Sequence, residues 1–264
     1  HPVYYTRGNK LLAGDAELDF VLEGQIPLFW QRMYNSSNSH VGALGTGWSL
    51  PFEFSLHIAE QNGEEAIFYT DRSGRELGLG VLLRGMSARY IDESFTLYRS
   101  TSNQFLMQTD DGLYFHFEEN PLQRNHFRLH QQLDRHENRL DYHYDSRGRL
   151  QQIVDDMQQV QLEFSYDPQF SRLTQVRQII LAQQVRREKT LVEYHYNDIG
   201  ELTQVRDADG VMSRHYAYDP HHHLMVCHGY PTGLTAHYVY QLFAAQDGEP
   251  AHYRVTEHTL RDGD

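Results

Sequence analysis

Tyr142-His143-Tyr144-Asp145-Ser146-Arg147-Gly148-Arg149-Leu150 is the stretch on which the fold turns. Two aromatics one residue apart share a face of an extended strand, because successive side chains alternate. An aspartate follows, then a glycine. This is turn chemistry, in which the Asx side chain bonds its own backbone and glycine supplies a positive φ. Leu150 then opens a second alternation with Ile153.

The motif recurs. Aromatic-x-aromatic pairs stand at Tyr142/Tyr144, Phe164/Tyr166, Tyr194/Tyr196, Tyr216/Tyr218 and Tyr238/Tyr240. Their second members are spaced by 166−144 = 22, 196−166 = 30, 218−196 = 22 and 240−218 = 22, so one interval carries an insertion of 30−22 = 8. Asp145, Asp167, Asn197 and Asp219 directly follow the second aromatic, with Gly148 and Gly200 in the turn position. A fixed period of this length is the mark of a repeat architecture. Each copy reads as two strands and two turns, as in Leu202-x-x-Val205 running toward Asp207-Ala208-Asp209-Gly210. The predicted fold is all-β, with antiparallel strand-turn-strand units laid side by side into a curved, spiralling sheet. The ten aromatics form a ladder on one face, and His143, Ser165, His195, Ala217 and Val239 point to the other. Residues 175–189 coincide with the insertion and read as an extended hairpin or loop, since helical signals are weak.

Working outward, residues 1–125 lack the period but share its grammar. Tyr69-Thr70-Asp71-Arg72-Ser73-Gly74-Arg75-Glu76-Leu77 again sets Asp and Gly between strands. Further strands are predicted at 53–58, 66–70, 95–99, 105–109 and 113–118, with Asp110-Asp111-Gly112 as a hairpin turn. The expected organisation is an opening β unit over 1–125 and a repeat sheet over 126–264. With no Pro-rich or Gly/Ser-rich linker between them, they should share one sheet.

Composition narrows the function. The 264 residues include 18 tyrosines and carry a formal charge of −13, which disfavours a nucleic-acid partner. A mean hydropathy of −0.66 is polar, yet 12% aromatic content supplies burial and opposes disorder. The single Cys227 cannot form an internal disulfide, which fits synthesis in the cytoplasm. No run approaches the ~20 apolar residues of a membrane span, and His1-Pro2-Val3-Tyr4-Tyr5 lacks a signal-peptide pattern. Any export should therefore use another route.

Candidate chemistry is sparse. His221-His222-His223, with His215 and His228 nearby, is the metal candidate, but the triplet fills a repeat turn and adjacent strand residues diverge. Asp207-x-Asp209-Gly210 and Asp155-Asp156 lack the further oxygen ligands of a calcium loop and read as turns. Glu64-Glu65 and Glu118-Glu119 read as solvated strand ends. Cys227 reads as an inert strand thiol, and Ser49 lacks a nucleophile elbow. The expectation is no catalytic, metal or cofactor-binding residue. The residues singled out are structural: the ten ladder aromatics, and Asp145, Gly148, Asn197, Gly200 and Asp219 in the repeat turns.

The pattern Tyr-x-Tyr-Asp-x-x-Gly-x-Leu resembles the YD repeat of the Rhs family, also seen in toxin-complex C components and teneurins. Thr6-Arg7-Gly8-Asn9-Lys10, Leu28-Phe29-Trp30-Gln31-Arg32-Met33-Tyr34-Asn35-Ser36 and Gly45-Thr46-Gly47-Trp48-Ser49-Leu50-Pro51 resemble the opening of bacterial Rhs cores. The resemblance implies a β-sheet strip spiralling into a hollow cocoon around a toxic C-terminal domain, in polymorphic-toxin or type VI secretion effectors. It implies a noncatalytic shell segment. Its partners would be the rest of the core and the enclosed toxin, with secretion spike proteins engaged through regions upstream. Five repeat copies are too few to close a toxin-sized cavity, so the strip's edges should pair with the remainder of the shell. The rival reading is a carbohydrate-binding or cell-surface β-repeat module, with sugars stacking on the aromatics.

Overall fold

A computed structural model describes residues 9–157, 160–182, 185–245 and 251–262. Seven short strands come first: β1 (Leu11–Leu12), β2 (Leu18–Leu22), β3 (Leu28–Gln31), β4 (Met33–Asn35), β5 (Val41–Gly42), β6 (Gly45–Thr46) and β7 (Trp48–Ser49). They pair as β1-β4-β7, β2-β3 and β5-β6, with a 3-10 turn at Asp15–Glu17. Eighteen strands follow. The first eight are β8 (Ser55–Gln61), β9 (Glu64–Thr70), β10 (Glu76–Val81), β11 (Ser87–Tyr90), β12 (Phe95–Arg99), β13 (Phe105–Thr109), β14 (Tyr114–Glu119) and β15 (His126–Leu133). The repeat region supplies β16 (Arg139–Tyr144), β17 (Leu150–Asp155), β18 (Gln161–Tyr166), β19 (Leu173–Ala182), β20 (Val185–Tyr196), β21 (Leu202–Asp207), β22 (Met212–Tyr218), β23 (Met225–Gly229), β24 (Thr235–Phe243) and β25 (His252–Arg261).

The architecture is all-β and antiparallel, with no α-helix among the described residues. The segment read as a hairpin or loop is the long ribbon β19–β20, paired from Gln175↔Glu193 to Ala182↔Val185. Strands β8 to β25 belong to one sheet that curls and closes on itself. At the closure the two halves of one edge of β15 take different partners. His126, Phe127 and Arg128 pair with β8, whereas Gln131, Gln132 and Leu133 pair with β16. The strip β16–β25 therefore continues from a ring built by β8–β15. Position 125/126 lies in the turn between β14 and β15, inside this continuous sheet.

Alternation decides which face is buried. In β12, Phe95, Leu97 and Arg99 are buried while Thr96 and Tyr98 are not, and β14 buries Phe115 and Phe117 in the same rhythm. The inward residues of both halves form one core cluster running from Leu12 to Met225. Strands β1 to β7 lie against the buried face of the repeats and cover it: Trp30, Trp48, Tyr34, Leu44 and Leu50 are each at most 2% exposed. Trp30 packs on Phe164 at 5.3 Å between ring centres, and Trp48 meets Tyr216 edge-on at 4.8 Å.

Candidate functional site: a buried seal between the opening segment and the repeats

The aromatic pairs behave as a repeated joint. The first members, Tyr142, Phe164, Tyr194, Tyr216 and Tyr238, are buried, while His143, His195, Ala217 and Val239 on the other face are exposed and Ser165 is half-buried. Each ring stands across a hairpin from a different side-chain type, as in Tyr142↔Ile153, Phe164↔Val176, Tyr194↔Val205 and Tyr216↔His228. Rings of consecutive units are thus two strands apart, roughly 10 Å, with aliphatic or histidine side chains between them.

A bulge stands at the same place in every unit. The register slips between His143/Tyr144, Ser165/Tyr166, His195/Tyr196, Ala217/Tyr218 and Val239/Tyr240. The extra residue falls on the return strand, at Gln151, Thr174, Thr203, Val226 and Thr256. Three of these threonines donate to the carbonyl across the slip: Thr174 to Ser165 at 3.0 Å, Thr203 to His195 at 3.1 Å and Thr256 to Val239 at 3.4 Å. A bulge sharpens the local twist, so one per unit bends the whole strip.

The second aromatic of each pair ties its unit to the one before. Tyr144, Tyr166, Tyr196 and Tyr240 donate their hydroxyls to the carbonyls of Leu129, Leu150, Leu173 and Met225 at 2.7, 2.7, 2.5 and 2.9 Å. Tyr218 breaks the series, because its hydroxyl accepts from the Trp48 indole at 2.9 Å. The turns work as their composition requires. Asp145 Oδ1 accepts from the Arg147 and Arg149 amides, Asn197 Oδ1 from Ile199 and Glu201, and Asp219 Oδ1 from His221 and His222. Gly148 and Gly200 take φ of 80° and 81°, and His223 holds the corresponding left-handed position at 55°.

The seal also contains a charge cluster that the sequence reading did not single out. Arg32 Nε binds both oxygens of Asp19 at 3.0 and 2.9 Å, and its Nη1 lies 2.9 Å from Glu17 Oε2. Glu17 Oε1 accepts from Arg214, and Glu17 Oε2 accepts from the Tyr216 hydroxyl at 2.7 Å. Arg32 in turn donates to the Tyr216 oxygen. Tyr194 donates to Asp19 at 2.6 Å and accepts from the Trp30 indole at 2.9 Å. All four charged side chains are at most 3% exposed. Two carboxylates from the opening segment thus face one guanidinium from each side. Burial raises the Asp19 carboxyl against the opposing pull of Arg32.

Beside this cluster lies a cationic corner. Lys10 is fully buried, with Nζ 4.3 Å from the centre of the Tyr238 ring. Burial lowers its amine to about 7, with Glu17 pulling upward and Arg214 downward. His228 is 2% exposed, stacks on Tyr238 and shares a 3.3 Å contact between Nδ1 and the Tyr238 hydroxyl. Burial, then Lys10, Arg214, His258 and His215, hold its imidazole down at about 2. A signal for this site did exist. Arg32 is in phase with Leu28 and Trp30, and Arg214 with Tyr216, so each is a charge on a face that alternation buries.

The other candidates fall apart spatially. His221 and His222 are exposed at their turn, and His223 Nδ1 sits 2.9 Å from Glu201 Oε1. Among the described residues, no three His, Cys, Asp or Glu side chains gather to hold a metal ion. Asp207 Oδ1 accepts from the amides of Asp209 and Val211 within its own turn, and Asp155 Oδ1 accepts from Val160. Glu65 pairs with Arg99 at 2.7 Å. Cys227 is half-buried, with Sγ 3.9 Å from His237 Nε2, and burial pushes its thiol up. Ser49 Oγ donates to the Arg72 carbonyl at 2.6 Å. No described helix is long and apolar enough to cross a membrane.

A family model described as "Domain of unknown function (DUF6531)" matches residues 1–79. Double-stranded DNA deaminase toxin A of Burkholderia cenocepacia is 28% identical over 265 residues, covering 100% of this chain and 17% of that protein. Toxin protein Tse5 of Pseudomonas aeruginosa is 29% identical over 283 residues, covering 92% of this chain and 21% of that protein. Probable deoxyribonuclease RhsB of Dickeya dadantii is 25% identical, covering 83% of this chain and 16% of the relative. The chain therefore spans about a fifth of the curated relatives' length. Among solved structures, TcdB2-TccC3-Cdc42 matches with a TM-score of 0.52 at 12% identity, over 96% of this chain and 19% of that one. The Photorhabdus luminescens Tc holotoxin pore matches at 0.53 and 13%, with the same coverage. These structural likenesses concern the fold.

Proposed function

We propose that this chain belongs to the Rhs family of polymorphic toxin proteins and is a noncatalytic length of wall that helps enclose a toxic C-terminal region. In this reading residues 1–125 open the wall and residues 126–264 form its repeat strip. The observation that carries it is the bulge repeated at the second aromatic of all five units, which supplies the steady curvature a hollow shell requires. The deployment of polar groups supports the noncatalytic part. The Asx side chains close turns, the ladder hydroxyls bond backbone, the opening segment or the side chains of Gln132 and His228, and Glu17, Asp19, Arg32 and Arg214 bind one another. The partners are then the rest of the core, met along the outer edge of β25, and the toxin region inside, with secretion spike proteins reached through upstream parts. Synthesis in the cytoplasm and export by a specialised system complete the reading.

Protease protection tests it. In the full-length gene product, the C-terminal region should resist digestion while this wall is intact and be cleaved readily once the seal is broken by Arg32→Met. Equal cleavage in both proteins would overturn the proposal. Selective binding of a defined glycan by the chain, without any protection, would favour a surface-binding module instead.

A further inference from the structure

We infer that His228 is an acid-sensitive release point, at which protonation drives the opening segment off the repeat strands. This goes beyond the enclosure reading and holds whether or not the wall contains a toxin.

The geometry is that of a buried histidine with no counter-charge for a second proton while the segment is docked. His228 is on β23 and 2% exposed, stacked on the same Tyr238 ring that the ammonium of Lys10, from the opening segment, lies over. Its Nδ1 meets the Tyr238 hydroxyl at 3.3 Å, and no carboxylate forms an ion pair with it among the described residues. The charged and titratable groups around it come from every neighbouring element. Lys10 lies just before β1; Arg214 and His215 are on β22, Tyr238 is on β24 and His258 on β25; Tyr230 stacks edge-on at 5.6 Å. Glu17, the acid that acts on Lys10, has both oxygens committed to Arg32, Arg214 and Tyr216. An imidazolium here would be a buried cation among cations, which is the arrangement that costs most.

The direction follows from linkage. The imidazole is held at about 2 when docked, against an ordinary 6.5 when freed. Docking therefore keeps its full strength above pH 6.5 and weakens as pH falls, by about tenfold in the docking equilibrium per pH unit. Lys10 does not produce this effect, because its lowered amine changes the balance only between about 7 and its ordinary 10.5. Glu53 opposes it over part of the range. Burial raises that carboxyl from 4.5 to about 7, so protonation favours the docked form between those values, and the buried Asp19 carboxyl, also raised, acts in the same direction.

The chain carries its own reporters. Both of its tryptophans, Trp30 and Trp48, lie in the opening segment and donate to Tyr194 and Tyr218 across the seal. Tryptophan emission should shift to the red on acidification while the far-ultraviolet β signal persists. In His228→Phe, which keeps the stack on Tyr238, the midpoint should move at least one pH unit lower. If that variant does not fold, Lys10→Met serves, because removing a neighbouring cation should also lower the midpoint. Coincident loss of both signals, or midpoints unmoved by the substitution, would overturn the inference.

Discussion

Arg32 holds two carboxylates at once, and its loss leaves both short of a partner. It contacts Asp19 through Nε and Glu17 through Nη1, all at most 3% exposed. Arg32→Met should cost about 3–5 kcal/mol, the usual penalty for stranding a buried charge. Urea unfolding at neutral pH measures it. Adding Asp19→Leu should recover part of the loss, because Glu17 still has Arg214; a double variant no better than the single would show that Asp19 finds water when Arg32 goes. At this scale the sequence was only half legible. Alternation places Arg32 on the face of Trp30, but Tyr216, to which it donates, comes from the far end of the chain, as does Arg214, which shares Glu17 with it. Nothing local announces that Glu17 and Arg214 will meet across 197 positions.

The single units show why some elements were readable and others were not. A paired aromatic in every copy, a 22-residue interval in three of four cases and an Asx after four of the five pairs are written in the sequence, so strand, turn and face follow from steric and hydrogen-bonding rules alone. The bulge is not written. Its extra residue is threonine in three units, Thr174, Thr203 and Thr256, but Gln151 and Val226 in the other two, so no single residue type marks it. Two glycines separate backbone from packing in these turns. Gly210 and Gly200 both have positive φ, at 75° and 81°, but a Cβ on Gly210 meets nothing within 4 Å whereas one on Gly200 comes within 2.9 Å of Phe170. Gly210→Ala should cost about 1 kcal/mol and Gly200→Ala roughly 1–3 kcal/mol more, read by thermal unfolding. Equal losses would mean that Phe170 swings aside freely. The hydroxyl ties make a second contrast. Tyr166→Phe removes one bond to the Leu150 carbonyl, about 1 kcal/mol, while Tyr218→Phe strands the Trp48 indole N–H and should cost about 1–3 kcal/mol. A larger loss for Tyr166→Phe would contradict that assignment.

Across the whole molecule, the opening segment and the repeats are two halves of one interior rather than neighbours. Alternation gives every repeat strand a buried face, and a single-layer sheet must cover that face with something. Here the cover is the chain's own beginning. Trp30, Tyr34, Leu44, Trp48 and Leu50, each at most 2% exposed, supply it, and the core cluster they share runs without a break into Tyr194, Tyr216 and Met225. Sequence patterns could find the strip and the family opening separately, yet not that one is the other's lining, because that contact has no period. Shortening the protein to 55–264 should then bare the aromatic face of β16–β24 and cause self-association, visible by light scattering, since contiguous apolar patches of this kind seek partners. Supplying 1–54 as a separate chain should restore a discrete species. The shortened chain behaving as a native-like monomer by itself would mean that the repeats close without their cover, and that the buried ion pairs fasten a segment the wall does not need.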